Sequence, residues 1–315
     1  MALTFGQAAI LGATGPTGRR LARELRGRGV AVRVVSRSYA NLARAFDGLD
    51  VERASWDLRL PTEARRALAG CDVAFDCIGL PAEHMADHPV TARALAAAAG
   101  AEGTRLVQVS SYWAYLPAVM LPITEDHPRT GGSEWVRLRR KAEDILLAAG
   151  AAVAHLPDFY GPEVHTSTLQ QPLAEAAAGR TMNWIGATDT PREYVYVPDA
   201  MCMVAELATR EAAYGAHWIV PGGSPVSALH VAEIAGRHLG RRVRVRGAGA
   251  RTLRLVALFN RRLRAFLPML PYYLAPISYD ATRLRALIGA PTVTPYEQAI
   301  PHTLDWLIAS RQSRT

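Results

Sequence analysis

Residues 10–29 read ILGATGPTGRRLARELRGRG. Gly12, Gly15 and Gly18 follow directly on a short apolar run and lead into a segment with helical spacing that closes on Gly29. Glycines let such a turn tighten and let backbone amides approach a pyrophosphate. The N-terminus of the following helix adds N–H donors and the positive end of its dipole. Gly12, Thr14, Gly15, Pro16, Thr17 and Gly18 are therefore the expected phosphate cradle, with a purely structural turn as the plainer alternative.

The rhythm around this turn decides the fold class. AAILGA, VAVRVVSR, CDVAFDCIG, TRLVQVSS and AAVAHLP are apolar strand segments. Helical segments separate them: TGRRLARELRGRG, LPTEARRALAG, PVTARALAAAAGAEG and residues 134–149. Strands this apolar, alternating with helices, predict a parallel sheet covered on both faces, in a doubly wound Rossmann α/β arrangement. After Tyr160 the rhythm loosens into helices and short strands near MNWIG, REYVYV, GAHWIVPG and RRVRVR. The expected organisation is a dinucleotide-binding domain over 1–160 and a smaller mixed substrate lobe over 161–315, with some segments of the second half returning to the first sheet.

Composition narrows the class. The chain has 315 residues, 50% hydrophobic and 20% charged, which suits a folded globular protein rather than a disordered one. Cys71, Cys77 and Cys202 are odd in number and irregular in spacing. They suggest neither a disulfide framework nor a zinc site, so no metal is expected and a reducing cytoplasm is. No signal peptide is read at the start. The net charge of +8 comes from scattered arginines with no aromatic-basic module, so a solvated surface is expected and nucleic acid is not. The most membrane-like stretch, RTLRLVALFNRRLRAFLPMLPYYLAP (251–276), is interrupted by arginines before it could span a bilayer. It reads as a buried or pocket-lining amphipathic helix, or alternatively as an oily interfacial lid, and no membrane partner is expected.

The end of the second strand addresses cofactor choice. NAD proteins place an acidic residue there for the ribose 2′-hydroxyl, whereas an arginine suits a 2′-phosphate. Here the strand ends VVSRS with no carboxylate, and Ser36 with Arg37 favours NADP(H) over NAD(H).

Several motifs together resemble the extended short-chain dehydrogenase/reductase superfamily of the NAD-dependent epimerase/dehydratase type. They are GATGPTG, WDL with Asp57 and Leu58, CIG at Cys77, Ile78 and Gly79, VSSYWAY, DFYGP with Phe159, and YVYVPDAM. The resemblance implies a cofactor pocket built from these segments and a catalytic serine, tyrosine and lysine. Ser111 fits the serine. The tyrosine and lysine slots, four apart, fall on Trp135 and Arg139 in SEWVRLRRKAEDIL. Using Lys141, the chain's only lysine, would instead put Arg137 in the tyrosine slot, so neither register restores a tyrosine. Arg139 can bond a ribose hydroxyl but cannot trade protons. Tyr112, Tyr115, Asp158, Tyr160 and His165 are nearby candidates for the missing acid. Tyr160 is placed with Ser111 and Arg139 in the catalytic set. Tyr112, Trp135, Asp158 and His165 are placed toward the substrate.

Loss of the tyrosine damages reactions that begin by deprotonating a hydroxyl more than it damages carbonyl reduction. The expected function is NADPH-dependent reduction of a ketone or quinone-like carbonyl in a small, fairly apolar molecule, for which some atypical relatives that act on polyketides are a precedent. A non-catalytic NADP-binding sensor is the alternative, and a nucleotide-sugar epimerase or dehydratase a further one. Extended relatives often form homodimers through helices flanking the site, a further expectation here, although VRLRRK is unusually charged for that role.

Overall fold

The computed structural model describes residues 3–312. Eleven strands are β1 Gln7–Leu11, β2 Ala31–Ser36, β3 Glu52–Ser55, β4 Val73–Asp76, β5 Arg105–Ser111, β6 Ala152–Leu156, β7 Asp158–Tyr160, β8 Met182–Ile185, β9 Tyr194–Tyr196, β10 His217–Ile219 and β11 Val245–Ala248. The helices of the first half are α1 Pro16–Gly27, α2 Tyr39–Ala45, α3 Pro61–Leu68, α4 Asp87–Glu102 and α5 Glu134–Ala148. Those of the second half are α6 Gln170–Ala177, α7 Val197–Ala208, α8 Ala228–Leu239, α9 Ala250–Ala257, α10 Arg261–Phe266, α11 Leu270–Tyr273, α12 Thr282–Ile288 and α13 Tyr296–Gln312.

Seven strands form one sheet in the order β10-β6-β5-β4-β1-β2-β3, every pairing parallel. Its central strands are buried on both faces: Ala8, Ile10, Val34, Phe75 and Val107 on one side, Ala9, Leu11, Val35 and Ala74 on the other. That double burial is why these segments read as apolar runs rather than as alternating ones. The chain winds outward from β1 in both directions, so the strand order reverses between β1 and β4. A doubly wound sheet opens a crevice at such a point, beyond the carboxyl ends of its strands.

The two halves interlock. β10 joins the main sheet beside β6, and α7 packs on α1. Around Tyr160, Trp184, Tyr194 and Tyr296 a second core gathers α6, α8 and α13. Two small parallel pairs, β7 with β9 and β8 with β11, belong to this part.

Two elements escape the sequence pattern. β3 is an edge strand with one buried residue, Ala54, and α2 buries only Leu42. Neither carries enough apolar signal to be read. The reading of 251–276 as one buried or pocket-lining helix is corrected. α9 stops at Ala257, Asn260 starts α10 by accepting from the Leu263 N–H, and Pro268 and Pro271 sit at the starts of the following turns. Met269, Leu270 and Tyr273 are buried, whereas Leu255, Val256, Leu258 and Phe259 face outward. Among the described residues no helix is long and apolar enough to cross a membrane.

Candidate active site

A cleft of about 520 Å³ opens at the reversal point. Its floor is the end of β1 and the start of α1. Gly12 adopts φ +72°, and a Cβ there would lie 2.8 Å from the Ile78 Cα. A Cβ on Gly18 would lie 2.7 Å from the Ala13 Cα. Only glycine lets the loop, the helix and the β4 end approach this closely. α1 begins with Gly15 as its cap and Pro16 in its first turn, and no side chain caps its amides. The first turn therefore presents uncapped N–H donors next to the cleft.

Gly12, Thr14, Gly15, Pro16, Thr17, Ser36, Arg37, Asp57, Leu58, Cys77, Ile78, Gly79, Ser111, Arg139 and Phe159 all line this cleft. Gly18 lies beneath it, buried in α1. Ser38, Asn41, Arg59, Asp87, Thr91 and Ser110 line it as well and were missed. Arg59 was within reach, because it stands two residues past Asp57 in WDLRL. Ser110 stands directly before Ser111 at the end of β5.

At the outer end, Ser36 donates its hydroxyl to the Ser38 carbonyl and accepts from the Ser38 N–H. Asp57 is not free to meet an adenine or ribose alone. Arg59 grips it through Nη2 at 2.6 Å and Nε at 3.0 Å, and reaches Asp87 at 3.0 Å. Those hydrogen bonds hold the Asp57 carboxyl below the usual carboxylate range. Arg37 adds a second positive charge close enough to lower it further.

At the inner end stands Arg139, on α5. It is 9% exposed, and its Nε is buried without a hydrogen-bond partner. Burial lowers its pKa from the ordinary guanidinium value, with the Glu143 and Asp76 carboxyls opposing. Lys141 is exposed on another face of α5. Arg139 is thus the basic residue that α5 aims into the cleft. A desolvated guanidinium with an unmet donor, beside a glycine cradle and uncapped helix amides, fits the phosphate and ribose oxygens of a dinucleotide.

Behind Arg139 lies a closed polar cluster. Ser110 donates to Glu143 Oε1. Arg129 binds Glu143 Oε2 at 2.6 Å and meets His217 Nε2 at 3.1 Å. His217 Nδ1 and His155 Nε2 are 3.0 Å apart. Burial raises the Glu143 carboxyl above its usual range, and pushes His155 down to about 3 and His217 to about 4. Glu143, His155 and His217 could together face a cation, but their ring nitrogens and carboxylate oxygens already bond one another and Arg129. The set is a hydrogen-bonded network one residue behind the cleft.

Other sequence candidates are corrected, because packing draws them elsewhere. Tyr160 is 1% exposed and sits in the second core against Tyr196 and Tyr296. His165 packs near Trp306. Tyr115 is buried against His155. None of the three lines the cleft. Trp135 stacks on Trp113 with ring centroids 6.1 Å apart. Trp113 Nε1 donates to the Tyr273 hydroxyl at 2.9 Å, which donates to Asp158 Oδ1 at 3.2 Å. Thr168 supplies Asp158 with a second donor at 2.5 Å. Tyr112 is buried edge-on to Tyr273 and Tyr279, and its hydroxyl accepts from Arg192. Tyr112, Trp135 and Asp158 therefore belong to an aromatic wall beside the cleft, rather than to its lining. Burial raises the Asp158 carboxyl above its usual range.

This geometry agrees with what comparison finds. Residues 12–151 match the family model described as NAD(P)H-binding. The matched segment holds α1 to α5 and most of the residues that line the cleft. A presumed epimerase from Burkholderia cenocepacia J2315 superposes with a TM-score of 0.80 at 19% identity, over 96% of this chain and 98% of that one. UDP-glucuronic acid 4-epimerase from Bacillus cereus, in complex with NAD, gives 0.79 at 12% identity over 98% and 100%. dTDP-glucose 4,6-dehydratase from Bacillus anthracis, also with NAD, gives 0.79 at 13% over 97% of each chain. No curated protein matches the sequence. At such identities the likeness establishes the fold; the chemistry rests on this chain's own side chains.

Proposed function

We propose that the chain is an NADPH-dependent reductase of a carbonyl, ketone or quinone-like, in a small and fairly apolar molecule. The observation that carries this reading is the pairing of Arg139 and the Ser110–Ser111 hydroxyls in the cleft with a tryptophan where a hydroxyl-deprotonating tyrosine would stand. Deprotonation of a sugar hydroxyl needs a base at that point. Reduction needs only a proton donor and an oriented carbonyl.

The bound cofactor would supply the hydride. The cradle of Gly12, Gly15 and the α1 amides would hold its pyrophosphate, and Arg139 the ribose nearest the reacting ring. The Ser111 hydroxyl would polarise the substrate oxygen. Ser110 donates to Glu143; when Glu143 carries a proton, which its burial favours and Arg129 opposes, that hydrogen bond would reverse and Ser110 would pass one proton to the substrate oxygen as it takes one from Glu143. Orientation supplies much of the acceleration, and positioned proton transfer adds about 10²–10⁴-fold. Preference for NADPH follows from Arg37 and Arg59 at the outer end of the cleft with no unpaired carboxylate there.

The test is a fluorescence titration with NADPH and NADH, then a screen of ketones and quinones for NADPH oxidation. Arg37→Ala should weaken NADPH by about tenfold and leave NADH nearly unchanged. A cofactor that binds but is never oxidised across a broad panel defeats the reductase reading and favours a sensor. A second reading, conversion of a nucleotide-diphosphate sugar, draws support from the solved neighbours whose names carry UDP- and dTDP-sugars. Saturable binding of UDP-glucuronic acid or dTDP-glucose in the same titration would move the assignment there.

A further inference from the structure

Residues 234–279 hold ten arginines and no aspartate or glutamate. This stretch alone exceeds the whole chain's net +8, so the remainder is net acidic. Within it α9 and α10 form an exposed pair. α9 buries Leu253 and Ala257 and turns Leu255 (62% exposed) and Val256 (45%) outward, and the turn that follows exposes Leu258 (60%) and Phe259 (89%). Arg251, Arg254, Arg261 and Arg264 are exposed around these side chains. Arg264 closes onto the carbonyls of Ala257 and Leu258 at the turn between the helices, whereas the Arg251, Arg254 and Arg261 side chains stand exposed.

An outward apolar ridge crowned by guanidinium groups is the pattern of a helix that lies in a membrane interface. The apolar side chains enter the acyl boundary and the cations meet anionic headgroups. We propose that α9–α10 docks the protein on an anionic phospholipid surface. A nucleic acid would use the arginines but leave Phe259 and Leu258 in water without a role. A second copy would use the ridge but bring two strongly positive faces together. The membrane uses both features at once.

The position of this ridge connects it to the cleft. Immediately after α10 the chain turns inward through Met269 to Tyr273. The Met269 sulfur accepts from Ser133 at the cap of α5, and Tyr273 bonds Trp113 and Asp158 in the aromatic wall. α9–α10 is thus continuous in sequence with the wall beside the reaction site. This part of the inference rests on the proposed reductase function: a docked enzyme would draw an apolar carbonyl substrate from the lipid phase.

The test is co-sedimentation of the full chain with vesicles, first of pure phosphatidylcholine and then with about 30 mol % phosphatidylglycerol. It reads binding alone and needs neither cofactor nor turnover, so its failure is separate from failure of the reductase reading. The wild type should bind the anionic vesicles and lose that binding at high salt. The double variant Leu258→Asp/Phe259→Asp, altered only at exposed positions, should fall at least tenfold in partition while keeping its circular dichroism and melting temperature. Arg251→Glu/Arg254→Glu should fall further, by about fivefold per arginine. Absence of vesicle binding in the wild type overturns the proposal. Binding that depends on the arginines but ignores Leu258→Asp/Phe259→Asp also overturns it, and marks a site for a soluble polyanion such as RNA. Self-association that Phe259→Asp abolishes, without vesicle binding, overturns it in favour of a second copy.

Discussion

The outer and inner ends of the cleft are built by different means. The outer end is mostly backbone: glycines at 12, 15 and 18 and the uncapped amides of α1, with a guanidinium rim. The inner end is mostly side chain, where Arg139, Ser110, Ser111 and the buried Glu143 network meet a wall of tryptophan and tyrosine. A backbone cradle leaves no room for a side chain at Gly12 or Gly18. A side-chain site can be rebuilt one residue at a time. On the proposed function, that difference lets the backbone cradle hold the cofactor while the side chains around Trp135 vary.

The largest effect should come from the backbone end. Gly12→Ala places a Cβ 2.8 Å from the Ile78 Cα at a positive φ. The strain costs about 1–2 kcal/mol before the clash is counted. Dinucleotide binding in a tryptophan-fluorescence titration should be lost and the melting temperature lowered. Tight binding by this variant would break the idea that the cradle is backbone-encoded.

Glu143→Gln tests the side-chain end. It keeps the shape and removes the stored proton. Turnover should fall by about 10²-fold or more with NADPH affinity unchanged. In the wild type the rate should decline as pH rises through the raised Glu143 pKa, and the variant should lack that limb.

Arg139→Met sharpens the contrast between binding and stability. Loss of a charge-assisted contact should weaken the dinucleotide by about tenfold or more. The free protein should keep or gain stability, because a buried guanidinium with an unmet donor is removed. Urea unfolding with and without NADPH separates the two.

A separate effect, on stability alone, is a pH signature away from the cleft. Burial raises Glu193 to about 7 even though its carboxylate accepts from Gly222 and Tyr279 N–H groups. A folded pKa above the unfolded one gives stability that is complete below about 4.5, is lost as pH rises to about 7, and is flat beyond. The change is on the order of 3 kcal/mol. Glu193→Gln should flatten that part of the urea-midpoint profile.

By itself the sequence determined the parallel sheet, the phosphate loop and most of the cofactor cleft. Those rest on local signals: double burial makes apolar runs, and tight turns demand glycine at fixed spacing. The edge strand β3 and the short α2 were illegible because each buries a single residue. Only the tertiary structure decided between Arg139 and Lys141, since that choice turns on which face of α5 meets the sheet. It also placed Tyr160 and His165 outside the cleft and brought Ser110, Arg129, Glu143, His155 and His217 together from five separate segments. Contacts between residues far apart in the chain leave no periodic trace. The same reason hid the outward ridge of α9, whose apolar residues read as core until packing showed which face of the helix was covered.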